Sequence, residues 1–377
     1  MQFEIARQEI LAALTAAVAA TETKGSIPIL SHLLVTHSSQ TVEFTGTDSE
    51  LEVRTCVTVP ASLDDGGYGS IAVPAAKFLD IVKNLPANAD ITFTLKSPTQ
   101  KNSTQVEVKS GKSRFTLSTL YAEDFPSAYE ISEGTTLTLS TQVLKDALAQ
   151  ASYAMAQNDA RYYLNGMCVH LMEEKLAMVA TDGHRLALAE ESFDLQGREP
   201  RQVIVPRKAI IELMRMLENS DDEVAVAIDE SHIQFKISDS LMITSKLIDG
   251  KYPDYYGVIP FQANKIATAD VGRLKTALSQ ASILSNEKYR GIKLVLAKNL
   301  LTVTSSNPDQ EEAEVECEVD YGDDDLEIGF NVNYLQDVLG VVTTKEIELR
   351  FSDSNSSCLL MQKDIDTVKF VVMPMRL

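Results

Sequence analysis

The sequence has 377 residues, of which 44% are hydrophobic, and it carries a formal net charge of −20. A chain of this length and composition can bury two or three hydrophobic cores, which excludes an intrinsically disordered protein. If the negative charge were evenly spread it would repel phosphate, so composition alone argues against nucleic-acid binding.

The cysteines and the first residues indicate the cellular environment. The four cysteines lie far apart and show no CxxC or Cys/His spacing, which argues against a disulfide framework and a zinc site. The segment Met1–Arg7 alternates apolar and polar residues, unlike a signal peptide, and no apolar run reaches the roughly 18 residues needed to cross a bilayer. We therefore expect a soluble cytoplasmic protein that has no membrane segment, metal or cofactor.

A strand followed by a helix recurs three times along the chain, at a period of roughly 130 residues that suits whole domains. The strands begin at Phe3, Leu137 and Ile266, and the helices are predicted over 7–24, 142–161 and 270–290. The second and third helices share the frame Leu-Lys-x-Ala-Leu-x-Gln-Ala-Ser, at 144–152 and 274–282. This match indicates copies of one domain.

Each copy continues in the same order. A strand pair comes next, with a polar turn at Thr47-Asp48, Thr181-Asp182 or Ser306-Asn307, where we expect the side chain to cap the turn. A second helix is then predicted over 74–84, 206–218 or 331–345, with proline in the first turn of two copies. Alternating strands follow, and each copy finishes near a proline.

These elements predict an α+β fold of three repeated domains, each with two helices beside antiparallel strands. The predicted domain bounds are 1–133 for the N-terminal domain, 134–262 for the central domain and 263–377 for the C-terminal domain.

The charge is unevenly distributed between helices and the rest of the chain. The six predicted helices carry formal charges of 0, +1, 0, +1, +2 and 0, which total +4 and leave −24 on everything else. A surface of this kind can present a mildly basic face to phosphate and repel it elsewhere. The structural alternative is that the helices of an acidic protein simply keep a few Lys and Arg residues that have no role in binding.

An alternative function is a hydrolase or lyase in which Asp182 and His184 act with Arg185. On an extended strand, residues 182 and 184 share one face and residue 185 lies on the other, so the three groups converge only if a turn rearranges them. Because Asp also stands at the matching position 48, a structural role for Asp182 is favoured over a catalytic one.

Over essentially its whole length the sequence resembles the bacterial DNA polymerase III beta subunit family, the sliding clamps. The resemblance rests on these segments: Arg161-Tyr-Tyr-Leu-Asn-Gly-Met167, Ala180-Thr-Asp-Gly-His-Arg-Leu-Ala187, Val205-Pro-Arg-Lys208, Ile211-Glu-Leu-Met-Arg-Met-Leu217, Leu284-Ser-Asn-Glu-Lys288, Asn307-Pro-Asp-Gln-Glu-Glu-Ala-Glu314 and Val372-Met-Pro-Met-Arg-Leu377.

The resemblance implies a non-catalytic processivity factor that encircles duplex DNA. Two chains pair head to tail, so that six domains form a ring with helices lining the hole. A monomeric or trimeric clamp of another lineage is the alternative, but three repeats in one chain make six only in a dimer. Head-to-tail closure needs two different complementary surfaces on each chain.

The resemblance also implies three sets of site residues. The dimer interface is implied at Lys109, Lys112, Arg114, Leu117, Ile283, Leu284, Glu311, Glu312 and Glu314. We expect its apolar members to lie outside the repeat cores. The DNA-facing residues, which would contact phosphates without reading bases, are Lys24, Lys83, Asn158, Arg161, Tyr162, Tyr163, Arg207, Lys208 and Arg215.

The third set is a pocket for partner peptides that contain Gln, Leu and Phe. Its residues are Leu164, Val179, Thr181, Gly183, His184, Arg185, Leu186, Pro253, Val258, Tyr334, Ser357, Val371, Met373, Pro374, Met375, Arg376 and Leu377. The implied partners are the DNA polymerase III alpha subunit, the delta subunit of the clamp loader, and other clamp-binding polymerases and repair proteins. Gly257 and Asn355 depart from the family, which commonly has arginine and a small apolar residue there.

Overall fold

A computed structural model of the chain describes residues 1–23, 25–60, 69–100, 103–131, 134–218, 220 and 223–376. The chain divides into two compact units. Unit 1 contains Met1–Gln142 and Ile211–Leu247, and unit 2 contains Val143–Ile210 and Ile248–Leu377. Lys24 and Leu377 of the predicted site lie outside the described residues.

The described residues repeat one order of elements three times: strand, helix, four strands, helix, three strands. The first repeat contains β1 (Gln2–Ala6), α1 (Arg7–Ala19), β2 (His32–Ser38), β3 (Thr41–Thr47), β4 (Leu51–Thr58), β5 (Gly69–Pro74), α2 (Ala75–Asn84), β6 (Asp90–Gln100), β7 (Ser103–Ser110) and β8 (Ser113–Tyr121).

The second repeat contains β9 (Thr135–Ser140), α3 (Thr141–Ala151), β10 (Gly166–Leu171), β11 (Lys175–Thr181), β12 (Arg185–Ser192), β13 (Arg201–Pro206), α4 (Arg207–Leu217), β14 (Glu223–Ile228), β15 (His232–Ser238) and β16 (Leu241–Lys246).

The third repeat contains β17 (Lys265–Asp270), α5 (Val271–Ser282), β18 (Gly291–Ala297), β19 (Leu300–Ser306), β20 (Glu312–Asp320), β21 (Leu326–Asn331), α6 (Val332–Val341), β22 (Glu346–Phe351), β23 (Cys358–Gln362) and β24 (Val368–Val372). The predicted α+β fold of three similar domains is therefore confirmed. The predicted domain boundaries stay predictions.

The helices have the predicted positions, but several end earlier than predicted. The helices predicted over 142–161 and 270–290 end at Ala151 and Ser282, and the one predicted over 331–345 ends at Val341. Helix α3 passes through a short 3-10 turn into extended backbone at Met155. Pro74 is also not in the first turn of α2, because it is the N-cap residue that precedes it.

Each unit contains one twelve-stranded antiparallel sheet in the described residues. In unit 1 the strand order is β1-β6-β7-β8-β5-β2-β3-β4-β16-β15-β14-β9, and in unit 2 it is β13-β10-β11-β12-β24-β23-β22-β17-β20-β19-β18-β21. The two repeats in each sheet meet at one strand pair. These pairs are β4 with β16, where Val53 lies opposite Ile243, and β12 with β24, where Leu186 lies opposite Val371.

Amphipathic helices cover the sheets. In α2 the buried residues Ala75, Phe78, Leu79 and Val82 follow the i, i+3, i+4, i+7 spacing of one helix face. Their side chains join Phe44 and Phe93 of the strands in one buried cluster of unit 1. In α5 the N-cap Asp270 accepts a hydrogen bond from the Arg273 backbone N–H, which satisfies a donor left over at the helix start.

Equivalent polar turns confirm the repeat at the level of single hydrogen bonds. Asp48 Oδ1 accepts from the Glu50 and Leu51 N–H groups, and Asp182 Oδ1 accepts from His184 and Arg185. Asn307 Oδ1 accepts from two N–H groups of its own turn. The predicted capping role of Asp48 and Asp182 is confirmed, and Asn307 has the same role in the third repeat.

Candidate functional site

The apolar residues of the predicted pocket come together in unit 2. Leu164, Val179, Leu186 and Val371 are buried in one cluster, which also contains Tyr252 and Ile259. Strand pairing explains this, because Leu186 of β12 lies opposite both Thr181 of β11 and Val371 of β24. Four separate stretches of sequence therefore form one apolar floor.

The turn between β11 and β12 presents the polar part of the pocket. Gly183 and His184 are exposed, and Gly183 has a φ of +86°, a conformation that favours glycine. Thr181 Oγ1 closes the turn by donating to the Arg185 carbonyl at 2.6 Å. The His184 ring stacks on Tyr334, with the ring centroids 6.2 Å apart.

The Arg185 guanidinium is held by ion pairs, a hydrogen bond and contacts with two aromatic rings. Its guanidinium forms ion pairs with Asp182 (3.1 Å) and with Asp337, and it donates to the Tyr153 carbonyl at 3.1 Å. It also lies over the rings of Tyr334 and Tyr153, 4.8 Å and 5.2 Å from their centroids. Burial works against the charged form, but the contacts with Asp337 and Asp182 outweigh it and raise the pKa of Arg185. The guanidinium is therefore fixed in orientation and stays charged.

The rim of the pocket is apolar and exposed. Val258 is 56% exposed and Met373 is 49% exposed. The Met373 N–H donates to the His184 carbonyl at 2.9 Å, and the Met375 N–H donates to the Gly329 carbonyl at 2.9 Å. The segment 373–376 is thus fixed beside the turn at 181–186. Pro253 and Arg376 are exposed, whereas Tyr334, Ser357, Pro374 and Met375 are half-buried.

Gly257 and Asn355, the two positions that depart from the family, each donate a backbone hydrogen bond to a nearby aspartate. The Gly257 N–H donates to Asp254 Oδ1 at 3.3 Å, and a Cβ at this glycine would lie 2.9 Å from Asp254 Oδ2. An arginine at 257 would therefore require the Asp254 side chain to move. Asn355 is exposed in a turn capped by Asp353, whose Oδ1 accepts from the Asn355 N–H at 2.7 Å.

Arg185 also lines a polar cleft of about 320 Å³. Its lining includes His184, Asp182, Asp159 and Arg207. Arg207 was predicted to face DNA, but it donates to the Met155 carbonyl at 2.9 Å and lines the same cleft as the pocket residues. The structure therefore brings together residues from two of the predicted sets.

Arg161, also predicted to face DNA, contacts the turn of the pocket. It pairs with Asp159 at 2.9 Å and donates to the Asp182 carbonyl at 2.9 Å. Its hydrogen bonds lower the pKa of Asp159 to about 2, so the pair stays ionised at neutral pH. The adjoining Tyr162 is 57% exposed.

The other predicted DNA-facing residues lie on helices or in the loop after α3. Lys83 and Lys208 are exposed on α2 and α4, and Asn158 is exposed with a φ of +58°. Arg215 on α4 pairs with Glu212 at 2.8 Å. With their observed bounds, the six helices carry 0, +1, 0, +2, +2 and −1, which again totals +4.

Sequence reasoning missed Tyr153 and Asp337, which hold Arg185. Asp337 lies three residues after Tyr334 on α6, so both side chains project from the same helix face. That spacing could have identified Asp337. Tyr153 has no comparable signal, because it lies in the 3-10 turn that the sequence predicts as helix.

The strands β1, β9, β13 and β21 end the two sheets of the described residues, and two strands inside the sheets also have largely unpaired edges. Residues 113–119 of β8 pair only with β7, since β5 pairs with β8 only at Leu120 and Tyr121. Residues 312–318 of β20 pair only with β19, since β17 pairs with β20 only at Val319 and Asp320. These edges contain Arg114 and Leu117 on β8, and Glu312 and Glu314 on β20.

The apolar residues of the predicted interface differ in exposure. Ile283, which follows α5 directly, is 76% exposed, and Leu284 is half-buried. Leu117, however, is only 8% exposed and packs in the core of unit 1 with Val106 and Val108. The expectation that it lies outside the repeat core is wrong, because the inward face of β8 continues the core.

The acidic and basic members of the predicted interface are exposed. Lys109 and Arg114 pair with Glu107, and Lys112 lies in the turn between β7 and β8. Glu311, Glu312 and Glu314 are exposed at the start of β20, and Glu311 accepts a hydrogen bond from the Asn307 side chain at 2.6 Å. The charges on the two strand edges are therefore opposite in sign.

The described residues contain no cluster of three or more His, Cys, Asp or Glu side chains that could hold a metal ion. All four cysteines have free thiols. In the described part of the chain, no helix combines the length and apolar composition that a membrane crossing requires.

The fold defines a class of protein built from three copies of one α+β domain, with a buried apolar cluster beside a polar cleft in unit 2. Family models for the DNA polymerase III beta subunit match all three copies: the N-terminal domain at residues 1–130, the central domain at 138–254 and the C-terminal domain at 257–376. The chain belongs to the DNA polymerase III beta subunit family.

Relatives and solved structures agree with this assignment. The beta sliding clamp of Pseudomonas putida is 45% identical over 379 residues, and that of Escherichia coli K12 is 39% identical over 377, with both chains fully covered in each case. A crystal structure of the DNA polymerase III subunit beta from Pseudomonas aeruginosa is 43% identical and matches with a TM-score of 0.94 over the full length of both chains.

Proposed function

We propose that two copies of this chain close head to tail into a six-domain ring that encircles duplex DNA and tethers a polymerase to it. The observation that carries the proposal is the pattern of strand pairs between repeats. The fourth strand of repeat 1 (β4) pairs with the last strand of repeat 2 (β16), and the matching β12 pairs with β24 of repeat 3.

The same rule leaves β20 of repeat 3 and β8 of repeat 1 without an equivalent partner, and both strands have a largely unpaired edge inside their sheets. Open edges form hydrogen bonds readily with another chain. If β20 pairs with β8 of a second copy, the rule is satisfied at every repeat and the assembly closes after two chains. The basic edge of β8 and the acidic edge of β20 favour this orientation.

The DNA contacts that we propose are independent of base sequence. The helices carry a total charge of +4 while the rest of the chain carries −24, so attraction to phosphate is weak and confined to one kind of surface. Such a ring holds DNA by encircling it, and short linear duplexes should bind weakly.

The partners that we propose for the pocket are the DNA polymerase III alpha subunit, the delta subunit of the clamp loader, and other clamp-binding polymerases and repair proteins. Exposed Val258 and Met373 offer apolar surface to leucine and phenylalanine anchors. Methionine adapts its shape to different side chains, which suits a site with several partners. A clamp from Pseudomonas aeruginosa has been solved bound to griselimycin.

We also propose that the chain has no catalytic activity and acts in the bacterial cytoplasm. The Asp182 carboxylate accepts hydrogen bonds from backbone N–H groups and from Arg185, and the His184 ring stacks on Tyr334. Neither group is therefore arranged as a general acid or base with the other. The free thiols suit a reducing compartment.

The head-to-tail contact is tested by replacing Ile283 and Leu284 with alanine. Burying an aliphatic side chain contributes roughly 1.5–3 kcal/mol, so the double variant should sediment as a monomer at concentrations where the original chain is a dimer. Phe261→Ala, which removes an apolar side chain that is also half exposed, is the matched control and should leave the dimer intact. A double variant that remains dimeric refutes the assigned interface.

A further inference from the structure

A buried carboxylate lies at the centre of the basic cluster on unit 1. Val106 and Val108 of β7 point into the core, so Glu107 between them points to the opposite face of the sheet. There it is only 7% exposed, because three cations cover it. The distances to its carboxylate oxygens are 2.9 Å from Lys96, 3.0 Å from Lys109 and 3.2 Å from Arg114.

One of these cations is on the strand whose edge we propose as an interface, and a second is on the neighbouring strand. Arg114 belongs to β8 itself, and Lys109 lies opposite it on β7. Glu107 lies opposite Thr116, in the middle of the segment of β8 that has no second strand partner. A strand added to this edge would lie two strand spacings from β7, about 10 Å, with only β8 between it and Glu107.

The strand that we propose to add carries a row of acids. Glu312, Glu314, Glu316 and Glu318 alternate along β20 and are all exposed, whereas the residues between them are half-buried or, at Cys317, buried. Glu318 pairs with Arg273. Among the described residues, no cation lies within ion-pair distance of Glu312, Glu314 or Glu316, so these three carboxylates remain available to cations of another chain.

We propose that Glu107 weakens the head-to-tail interface by competing, within its own chain, for the cations that would otherwise bind the acids of β20 in a second copy. The proposal rests on the proposed ring. A carboxylate already at contact distance from Lys109 and Arg114 holds them before any partner arrives. It also repels the approaching glutamates.

The side-chain hydrogen bonds from Lys96 and Lys109 lower the pKa of Glu107 to about 2, so the competing charge is present throughout the physiological pH range. Because Glu107 competes for these cations, the opposite charges of β8 and β20 hold the closed ring less tightly. This suits a ring that has to open in order to admit DNA.

The test compares the dimer dissociation constants of Glu107→Gln and of the original chain by sedimentation equilibrium at low and high salt. Removing one competing charge whose paired cations are partly exposed should tighten each interface roughly fivefold, and hence a ring with two interfaces roughly twenty-five-fold. The gain should disappear near 1 M salt, where exposed charges are screened. Glu9→Gln, at an exposed position on α1, removes the same charge elsewhere in unit 1 and should change nothing.

Two further variants make the result decisive. Thr116→Lys places a further cation opposite Glu107, where it can pair with the carboxylate and leave Lys109 and Arg114 to the partner, so it should also tighten the dimer at low salt. In a chain with Glu312, Glu314 and Glu316 all replaced by glutamine, Glu107→Gln should no longer have an effect. An unchanged or weaker dimer for both Glu107→Gln and Thr116→Lys overturns the inference, whereas an original chain that sediments as a monomer overturns the proposed ring instead.

Discussion

At the residue scale, the equivalent turns of the three repeats are each closed by hydrogen bonds to one side-chain oxygen. Asp48 and Asp182 use one carboxylate oxygen to accept two backbone N–H groups, and Asn307 does the same with its amide oxygen. The charge of the group is therefore not needed for the turn. At Asp182 the second oxygen is left for Arg185, so a structural cap also fixes a cation of the pocket.

Two substitutions of Asp48 should therefore lower the Tm of unit 1 by different amounts. Asp48→Ala leaves two turn N–H groups without their acceptor and should cost about 1 kcal/mol, which corresponds to roughly 2–4 °C in the Tm of a unit of this size. Asp48→Asn keeps an acceptor oxygen and should lower the Tm of unit 1 much less. Calorimetry of the two variants checks this, and equal losses would show that the carboxylate charge, not the acceptor, holds the turn.

The roles of single residues could be predicted from sequence only where the pattern is local. The capping of the turns was predictable because Asp recurs at the same point of the repeat. The burial of Leu117 was not, because it depends on which face of β8 meets the core of unit 1. The contacts of Arg185 depend on tertiary packing: the spacing from Tyr334 could have pointed to Asp337, but Tyr153 has no signal in the linear sequence.

At the element scale, two of the helices that were predicted too long, α3 and α5, end for reasons visible in the sequence. The repeated frame finishes at Ser152 and Ser282, where hydroxyl groups start to compete for the backbone. Ser282 Oγ donates to the Ser279 carbonyl at 2.8 Å, and Asn286 Oδ1 accepts from the Lys288 N–H at 2.9 Å. Polar residues that favour turns, rather than a loss of apolar periodicity, end the helix.

The segment after β24 is the element that links the fold to partner binding. It extends beyond the last strand pair, yet hydrogen bonds from Met373 and Met375 fix it beside β12 and β21. Deleting residues 373–377 should abolish binding of a Gln-x-x-Leu-Phe peptide and processive synthesis, since the exposed Met373 and the rest of this mainly apolar segment are lost together. The dimer should persist, because Ile283 and the β8 edge are untouched.

Calorimetry with the peptide, together with sedimentation of the same truncated protein, measures both outcomes. Unchanged peptide affinity would show that the pocket lies elsewhere, even if the ring forms. Asn355→Ala, a change at an exposed turn residue in the same unit, is the control and should retain most of the affinity.

At the scale of the whole molecule, threefold repetition and the distribution of charge were predictable from sequence, and strand pairing between repeats was not. The sequence pattern gives the order of elements within a repeat, but it does not say that β4 pairs with β16 and β12 with β24. Those pairs are long-range contacts between distant segments. In the third repeat, β20 lacks the partner strand that β4 and β12 have. The strand pairs therefore predict that a second chain supplies this partner.

The central claim is that the assembled protein holds DNA by encircling it. The most direct measurement loads the protein onto a nicked circular plasmid with its clamp loader and follows retention by gel filtration, before and after one restriction enzyme linearises the circle. Protein that stays with the circle and is lost from the linear form is the expected result, because weakly basic helices give little direct affinity. Protein retained equally on circular and linear DNA would contradict the ring.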